Sequence, residues 1–171
     1  MTIPKFLIPH FRTNHAGETG AVFIYKGILS ISKDSDIIDF SKKHLQTESE
    51  HLEILNKILP SREISKLIPL WKIMGFLTGF IPGIFGKDFI YATIFSVESF
   101  VEKHYQHQLD LIKDKKKFAD LSNLINQLMH DEVEHKNEAN QKIRKKNFLH
   151  KSWSNIVYNG SSLAVKISKY I

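Results

Sequence analysis

Apolar residues fall into four long, broken helical stripes, with one further stretch that is apolar almost throughout. After an irregular opening over residues 3–10, where two prolines disfavour helix, Val22, Phe23, Ile24 and Ile28 predict a first helix. Asn14 is placed to cap it, and it ends near Ser32. Ile37, Ile38, Leu45, Leu52 and Leu55 predict a second helix from Ser35 or Asp36 to about Leu59, stopped by Pro60. Tyr91, Ile94, Phe95, Val97 and Phe100 mark a third from about Asp88 to Lys113. A loop or frayed end follows over Lys113–Lys117. Leu121, Leu124, Leu128 and Ile143 mark a fourth from about Phe118 to Lys146, and Ser152–Ile171 reads as a short, mostly apolar packing helix.

Between the second and third stripes, residues 67–86 carry Trp71, Phe76, Phe80 and Phe85, and from Ile73 to Gly86 no charge at all. That uncharged part would reach only about 21 Å as a helix, against a hydrocarbon core of roughly 30 Å. Pro69 and Pro82 interrupt a longer span. The stretch therefore suits a buried or membrane-interface segment better than a transmembrane one. Gly75, Gly79 and Gly83 recur every fourth residue, which permits close helix packing.

Composition narrows the chemistry. There is no cysteine, so disulfides, thiolate metal sites and cysteine nucleophiles are excluded. A metal must be held by histidine and carboxylate, which favours iron or manganese over structural zinc. The formal charge of +6, with Lys115-Lys116-Lys117 and Arg144-Lys145-Lys146, suits a solvated helix face or an anionic surface, in principle lipid headgroups or nucleic acid. No glycine-rich nucleotide fingerprint occurs, and no nucleic-acid partner is expected.

Two polar interruptions of the stripes carry the candidate chemistry. Glu48 precedes His51 by three residues, and Glu132 precedes His135 by the same interval. On a helix each pair lies on one face. Ten glutamates and nine histidines predict roughly half a Glu-x-x-His match by chance, so the two pairs alone are a weak signal. Glu18 and Glu98 strengthen it: the first is the only acid of its helix, and the second sits among aromatic and branched residues, where an unpaired carboxylate is costly. Thirty residues separate Glu18 from Glu48 and thirty-four separate Glu98 from Glu132, a difference of about one helical turn. The chain thus reads as two helical hairpins of one design, a four-helix bundle with the ligand pattern of di-iron carboxylate proteins. Four carboxylates would balance two divalent ions. Glu50, Asp131 and Glu134 are nearby acids outside the repeated spacing, and His104 and His107 lack it.

His15-Ala-Gly-Glu-Thr-Gly-Ala21, Glu48-x-x-His51, Val97-Glu98 with His104-Tyr105 and Gln108, and Asp131-Glu132-x-x-His135 together resemble the demethoxyubiquinone hydroxylases of ubiquinone biosynthesis. Leu70-Trp71 through Gly75-Phe76 to Leu77-Gly79, and Gly86-Lys87, are similar as well. The resemblance spans essentially the whole chain, and is weakest around Ser161-Ser162 and Lys166. It implies one all-α, ferritin-like domain over residues 1–171, with the hydrophobic helical insertion between the two helix pairs and a short C-terminal helix. It also implies two iron ions on Glu18, Glu48, His51, Glu98, Glu132 and His135, bridged by Glu48 and Glu132. His104 and Tyr105 match a pair near the substrate channel that could pass protons or electrons.

The expected reaction is O2-dependent hydroxylation of a membrane-embedded polyprenylated methoxy-benzoquinol, with electrons from an external donor such as NADH. The expected setting is peripheral, on the cytoplasmic side of a cell membrane, since the N-terminus lacks a secretory pattern. A lipid-presenting or biosynthetic-complex partner and a homo-oligomer are further expectations. The rivals are a ferritin-like ferroxidase, which needs no aromatic insertion, and a metal-free lipid-binding bundle, which needs no ligands.

Overall fold

The computed structural model describes residues 2–113, 116–144 and 148–171. In chain order the helices are α1 (Ile8–Ile31), α2 (Ser35–Ile58), α3 (Ile68–Phe85), α4 (Lys87–Ile112), α5 (Ala119–Lys142) and α6 (Phe148–Ser168). The fold is an all-α, ferritin-like helical bundle, and no strand occurs among the described residues. α1 starts six residues before Asn14, because Pro9 falls in its first turn, where a missing N–H costs nothing. Asn14 is instead an interior residue of that helix. The Asp34 carboxylate caps α2 by accepting from the N–H groups of Asp36 and Ile37. α5 ends at Lys142, short of the expected boundary, and the expected end at Lys146 lies outside the described residues. So do Lys115, Lys145 and Lys146 of the two basic clusters. α6 begins at Phe148 and runs for 21 residues, longer than the short helix expected from Ser152.

Tyr25 stacks on His44 and meets Phe40 at a tilt while His15 meets Asn56, so α1 and α2 form an antiparallel hairpin. Lys136 pairs with Glu102 across the second hairpin, α4 with α5. Contacts of His44 with Glu138 and of His51 with Glu132 join α2 to α5, while Asn14 and Gln108 join α1 to α4. α3 is the crossover between hairpins. It packs on α1 and α4, and α6 packs on the same two helices.

Two separate apolar cores fill the bundle. One gathers Leu7, Phe11, Leu55, Leu109, Ile125 and Leu128; the other gathers Ile24, Ile28, Ile37, Phe40, Ile90 and Ile94. Both draw on α1, α2 and α4, so the polar residues between them on those helices occupy a layer with dry packing above and below. Each fully buried side chain of this size stabilises the fold by about 1.5–3 kcal/mol.

α3 continues as one helix through Pro82 and stops at Gly86, whose φ of 100° only glycine tolerates readily. It runs in the same direction as α1, against which its glycines set the spacing. A Cβ at Gly75 would run into the backbone of Gly20, one at Gly79 into that of Ile24, and one at Gly27 into that of Phe76. By length and composition α3 could cross a membrane, and only 22% of it is buried inside the protein. Ile73, Met74, Leu77, Ile84 and Phe85 face outward.

Gly79→Ala is expected to destabilise the protein by about 1–3 kcal/mol in denaturant unfolding, because the obstructing atoms are backbone and cannot swing away. Gly160→Ala, with nothing within 4 Å of the new Cβ, is expected to be neutral or stabilising by up to about 1 kcal/mol. Equal stabilities for the two variants would mean α1 and α3 are not in close contact.

Candidate metal centre and cavity

The polar layer holds all six acidic and histidine residues singled out by spacing. α1 contributes Glu18, α2 Glu48 and His51, α4 Glu98, and α5 Glu132 and His135; none is more than 4% exposed. The three-residue interval turns each Glu and its His to the same side of the helix. Ligand atoms of Glu18, Glu48, His51 and Glu132 lie within 4.8 Å of one another, and so do those of Glu48, Glu98, Glu132 and His135. Glu48 and Glu132 belong to both groups. The arrangement could hold two metal ions side by side, sharing those two carboxylates.

His51 turns Nδ1 inward, 3.1 Å from Glu132 Oε1 and 3.6 Å from Glu18 Oε2. His135 also turns Nδ1 inward, 3.1 Å from Glu48 Oε1 and 3.3 Å from Glu132 Oε2. Both Glu48 oxygens, Glu132 Oε2 and His135 Nδ1 are nevertheless buried without a hydrogen bond. Atoms this close, shut from water and misaligned with one another fit a cation between them better than they fit each other. With N and O donors only, the set suits iron or manganese.

The electrostatics say the same. Burial pushes the carboxyls of Glu48 and Glu98 well up, and the neighbouring carboxylates push them further. Burial opposes the charged form of Glu132 as well, but the imidazoles of His135 and His51 close beside it outweigh it and bring its carboxyl down to about 2. Burial likewise opposes protonation of His51, yet its hydrogen bond to Glu132 and the Glu18 carboxylate beside it push it up to about 12. His135 is raised in the same way, mainly through Glu132. Without metal, protons take the place of cations in this layer.

Neighbouring groups hold the layer in place. Asp131 Oδ2 sits 3.0 Å from the outer nitrogen of His51, Nε2, and so directs Nδ1 inward. Asp131 lies outside the repeated Glu-x-x-His spacing; its place just before Glu132, one residue around the helix, is the sequence signal that points to it. The Tyr105 hydroxyl donates to Glu18 Oε1 at 2.6 Å, and burial, with Glu18 next, keeps its phenol far above the usual range. His135 has a different neighbour: the His44 ring stands edge-on at 4.0 Å, with Nε2 3.1 Å from Glu138 Oε2. Glu50 and Glu134 are exposed on the surface.

On the α1/α4 side the layer meets a mostly apolar cavity of about 360 Å3. Glu18, Glu48, Glu98 and Glu132 line its inner end, Trp71, Met74 and Ile81 of α3 one wall, and Trp153, Val157 and Val165 of α6 the other. His104 and Tyr105 line it too. Tyr105 touches the carboxylate cluster, whereas His104 bonds to Thr13 and Asn14 of α1. Burial, helped by His10, His107 and Lys169, pulls His104 down to about 3, so it is neutral near pH 7.

Asp131→Ala is expected to weaken Mn(II) or Fe(II) affinity by about 10–100-fold in an anaerobic titration, with helix content unchanged by circular dichroism. Metal addition to the stripped protein near pH 7 is expected to release protons, because Glu48, Glu98 and His51 hold them in the free layer. An indicator-dye titration reads that release, and no release would mean the metal binds elsewhere.

A family model described as ubiquinone biosynthesis protein COQ7 matches residues 5–168. The NADPH-dependent 3-demethoxyubiquinone 3-hydroxylase, mitochondrial, of Dictyostelium discoideum is 28% identical over 160 residues, covering 92% of this chain and 74% of that protein. The human protein of the same description is 30% identical over 72% of this chain and 59% of its own length. The 3-demethoxyubiquinol 3-hydroxylase of Rhodospirillum rubrum is 30% identical over 78% of this chain and 64% of its own length. The chain therefore spans less than two thirds of the human and Rhodospirillum relatives it matches. With a family match running from the first helix to the last, the chain belongs to the ubiquinone biosynthesis protein COQ7 family.

Proposed function

We propose that this protein hydroxylates a polyprenylated methoxy-benzoquinol, converting demethoxyubiquinol to demethylubiquinol with O2 at two iron ions. Glu18, Glu48, His51, Glu98, Glu132 and His135 would hold the irons, with Glu48 and Glu132 shared. The observation that carries this reading is the apolar cavity leading to the carboxylate layer, because a ferroxidase with the same six residues needs no such space. Named relatives with this activity support it.

Two ferrous ions would supply electrons for O2 reduction and the Lewis acidity that activates oxygen. The chain's own residues do the rest. Tyr105, a phenol that keeps its proton, donates to Glu18 and holds that carboxylate in one orientation. The cavity walls exclude water from the layer and take the ring and the first isoprenoid units by apolar contact. Placing one oxygen atom on the ring and the other in water consumes two electrons from outside the ring carbon. The sequence has no flavin or dinucleotide motif, so the donor is external, a nicotinamide nucleotide or a quinol.

The outward apolar faces fit a peripheral seat on a bilayer. Ile73, Met74 and Leu77 of α3, and Ile156 and Leu163 of α6, are exposed on the helices that wall the cavity. With that surface against lipid, a quinol ring can move sideways from the membrane into the cavity without crossing water.

Protein reconstituted anaerobically with Fe(II) and given a short-tailed methoxy-benzoquinol is expected to form the hydroxylated quinol on addition of O2. Glu132→Ala, which removes a carboxylate common to both groups, is expected to lose both irons and at least 100-fold of the activity. Ferric accumulation with the quinol untouched would favour a ferroxidase instead. In a separate flotation assay, Ile73→Asp with Leu77→Asp is expected to reduce binding to anionic vesicles while leaving iron content unchanged.

A further inference from the structure

The hydrogen bonds around His104 determine which of its ring nitrogens carries the proton. Gln108 Nε2 lies 3.3 Å from the backbone carbonyl oxygen of His104, which can only accept, so that amide atom must be the nitrogen. The same nitrogen donates at 2.8 Å to the Asn14 side chain, which must therefore present its oxygen there. Asn14 Nδ2 returns a bond to Gln108 Oε1 at 2.9 Å, closing a buried reciprocal amide pair. Asn14 Oδ1 also lies 3.1 Å from His104 Nε2, and an amide oxygen needs a donor there.

A second constraint reaches the same nitrogen from Thr13. Its hydroxyl has one hydrogen, which it donates to the His10 carbonyl at 2.6 Å. What remains to face His104 Nε2, at 2.9 Å, is a lone pair. Both neighbours require Nε2–H, so Nδ1 is bare, and it makes no hydrogen bond among the described residues. Phe100 on one side, 6.0 Å away and 11° from parallel, and His10, 6.2 Å away and 29° from parallel, flank the ring and limit its rotation.

We propose that Thr13, Asn14 and Gln108 are positioning residues that lock His104, a residue of the cavity lining, as the Nε2–H tautomer, so that its bare Nδ1 accepts a ring hydroxyl and selects hydroquinone over quinone. A quinone offers a carbonyl oxygen, which would set acceptor against acceptor. The low proton affinity of the buried ring keeps Nδ1 bare near neutral pH. The substrate half of this inference rests on the quinol reading above; the tautomer does not.

The test uses the metal-free full chain in mild detergent, with 15N-labelled histidine. Long-range 1H–15N spectra are expected to show His104 protonated at Nε2, with a mixed or reversed pattern in Thr13→Val and the original one restored in Thr13→Ser. Under argon, a monomethoxy benzohydroquinone with a short alkyl tail is expected to bind roughly three- to tenfold more tightly than its quinone, the span of one hydrogen bond. His104→Leu is expected to abolish that preference. An Nδ1–H tautomer in the unsubstituted chain overturns the inference whatever the variants do. Equal binding of the two rings overturns the selection while leaving the proposed hydroxylation standing. Failure of both rings to bind a chain with the Nε2–H tautomer overturns the selection and the quinol reading together.

Discussion

Four glutamates and two histidines share a layer where almost no water reaches, and the rest of the fold is arranged around that electrostatic burden. Desolvating one ion costs several kcal/mol even after relaxation, and like charges at this separation add to it. In the metal-free layer, protons on Glu48, Glu98 and the imidazoles meet part of the demand. Divalent cations would meet it more fully, through the carboxylate atoms that now lack partners. What holds so unfavourable a layer together is the packing above and below it. Each core contains several side chains buried completely, among them Phe11, Leu55 and Ile125 in one and Tyr25, Ile28 and Ile37 in the other.

The layer is closed on one side and open on the other. Toward α2 and α5, Asp131 backs His51, and His44 with Glu138 backs His135. Those contacts leave little room. Toward α1 and α4, where each helix contributes a lone glutamate, the cavity begins. The crossover helix creates this asymmetry: glycine contacts draw α3 tight against α1, and α6 covers α4, leaving a slot between their walls. The same two helices turn apolar residues outward, so the route to the layer and the surface suited to lipid are parts of one structure.

His104 and Tyr105, adjacent in sequence, act in different places. Tyr105 reaches inward to a carboxylate of the layer, while His104 is held by α1 further along the cavity. A helix turns about 100° per residue, so neighbours in sequence address different neighbours in space. The Asn14–Gln108 pair that orients His104 is also a direct polar link between α1 and α4, so the helices that flank the cavity are tied where the imidazole sits.

Much of this was legible in the residues themselves. Repeated Glu-x-x-His spacing, two isolated glutamates on apolar stripes, and similar intervals in the two halves identified all six residues of the layer, because helical periodicity converts spacing directly into a shared face. The glycines at four-residue intervals likewise foretold a close contact. Helix ends were less legible: Pro9 reads as a breaker, yet fits the first turn of α1, and α6 begins well before its apolar pattern. Tertiary structure alone decided what no local pattern encodes. It put Asp131 behind His51 from another helix, turned Asn14 from an expected cap into a partner of Gln108, and placed one end of an apolar cavity on the carboxylates. Sequence determined which side chains share a helix face; only the packing of six helices determined which faces meet, because those contacts join residues dozens of positions apart.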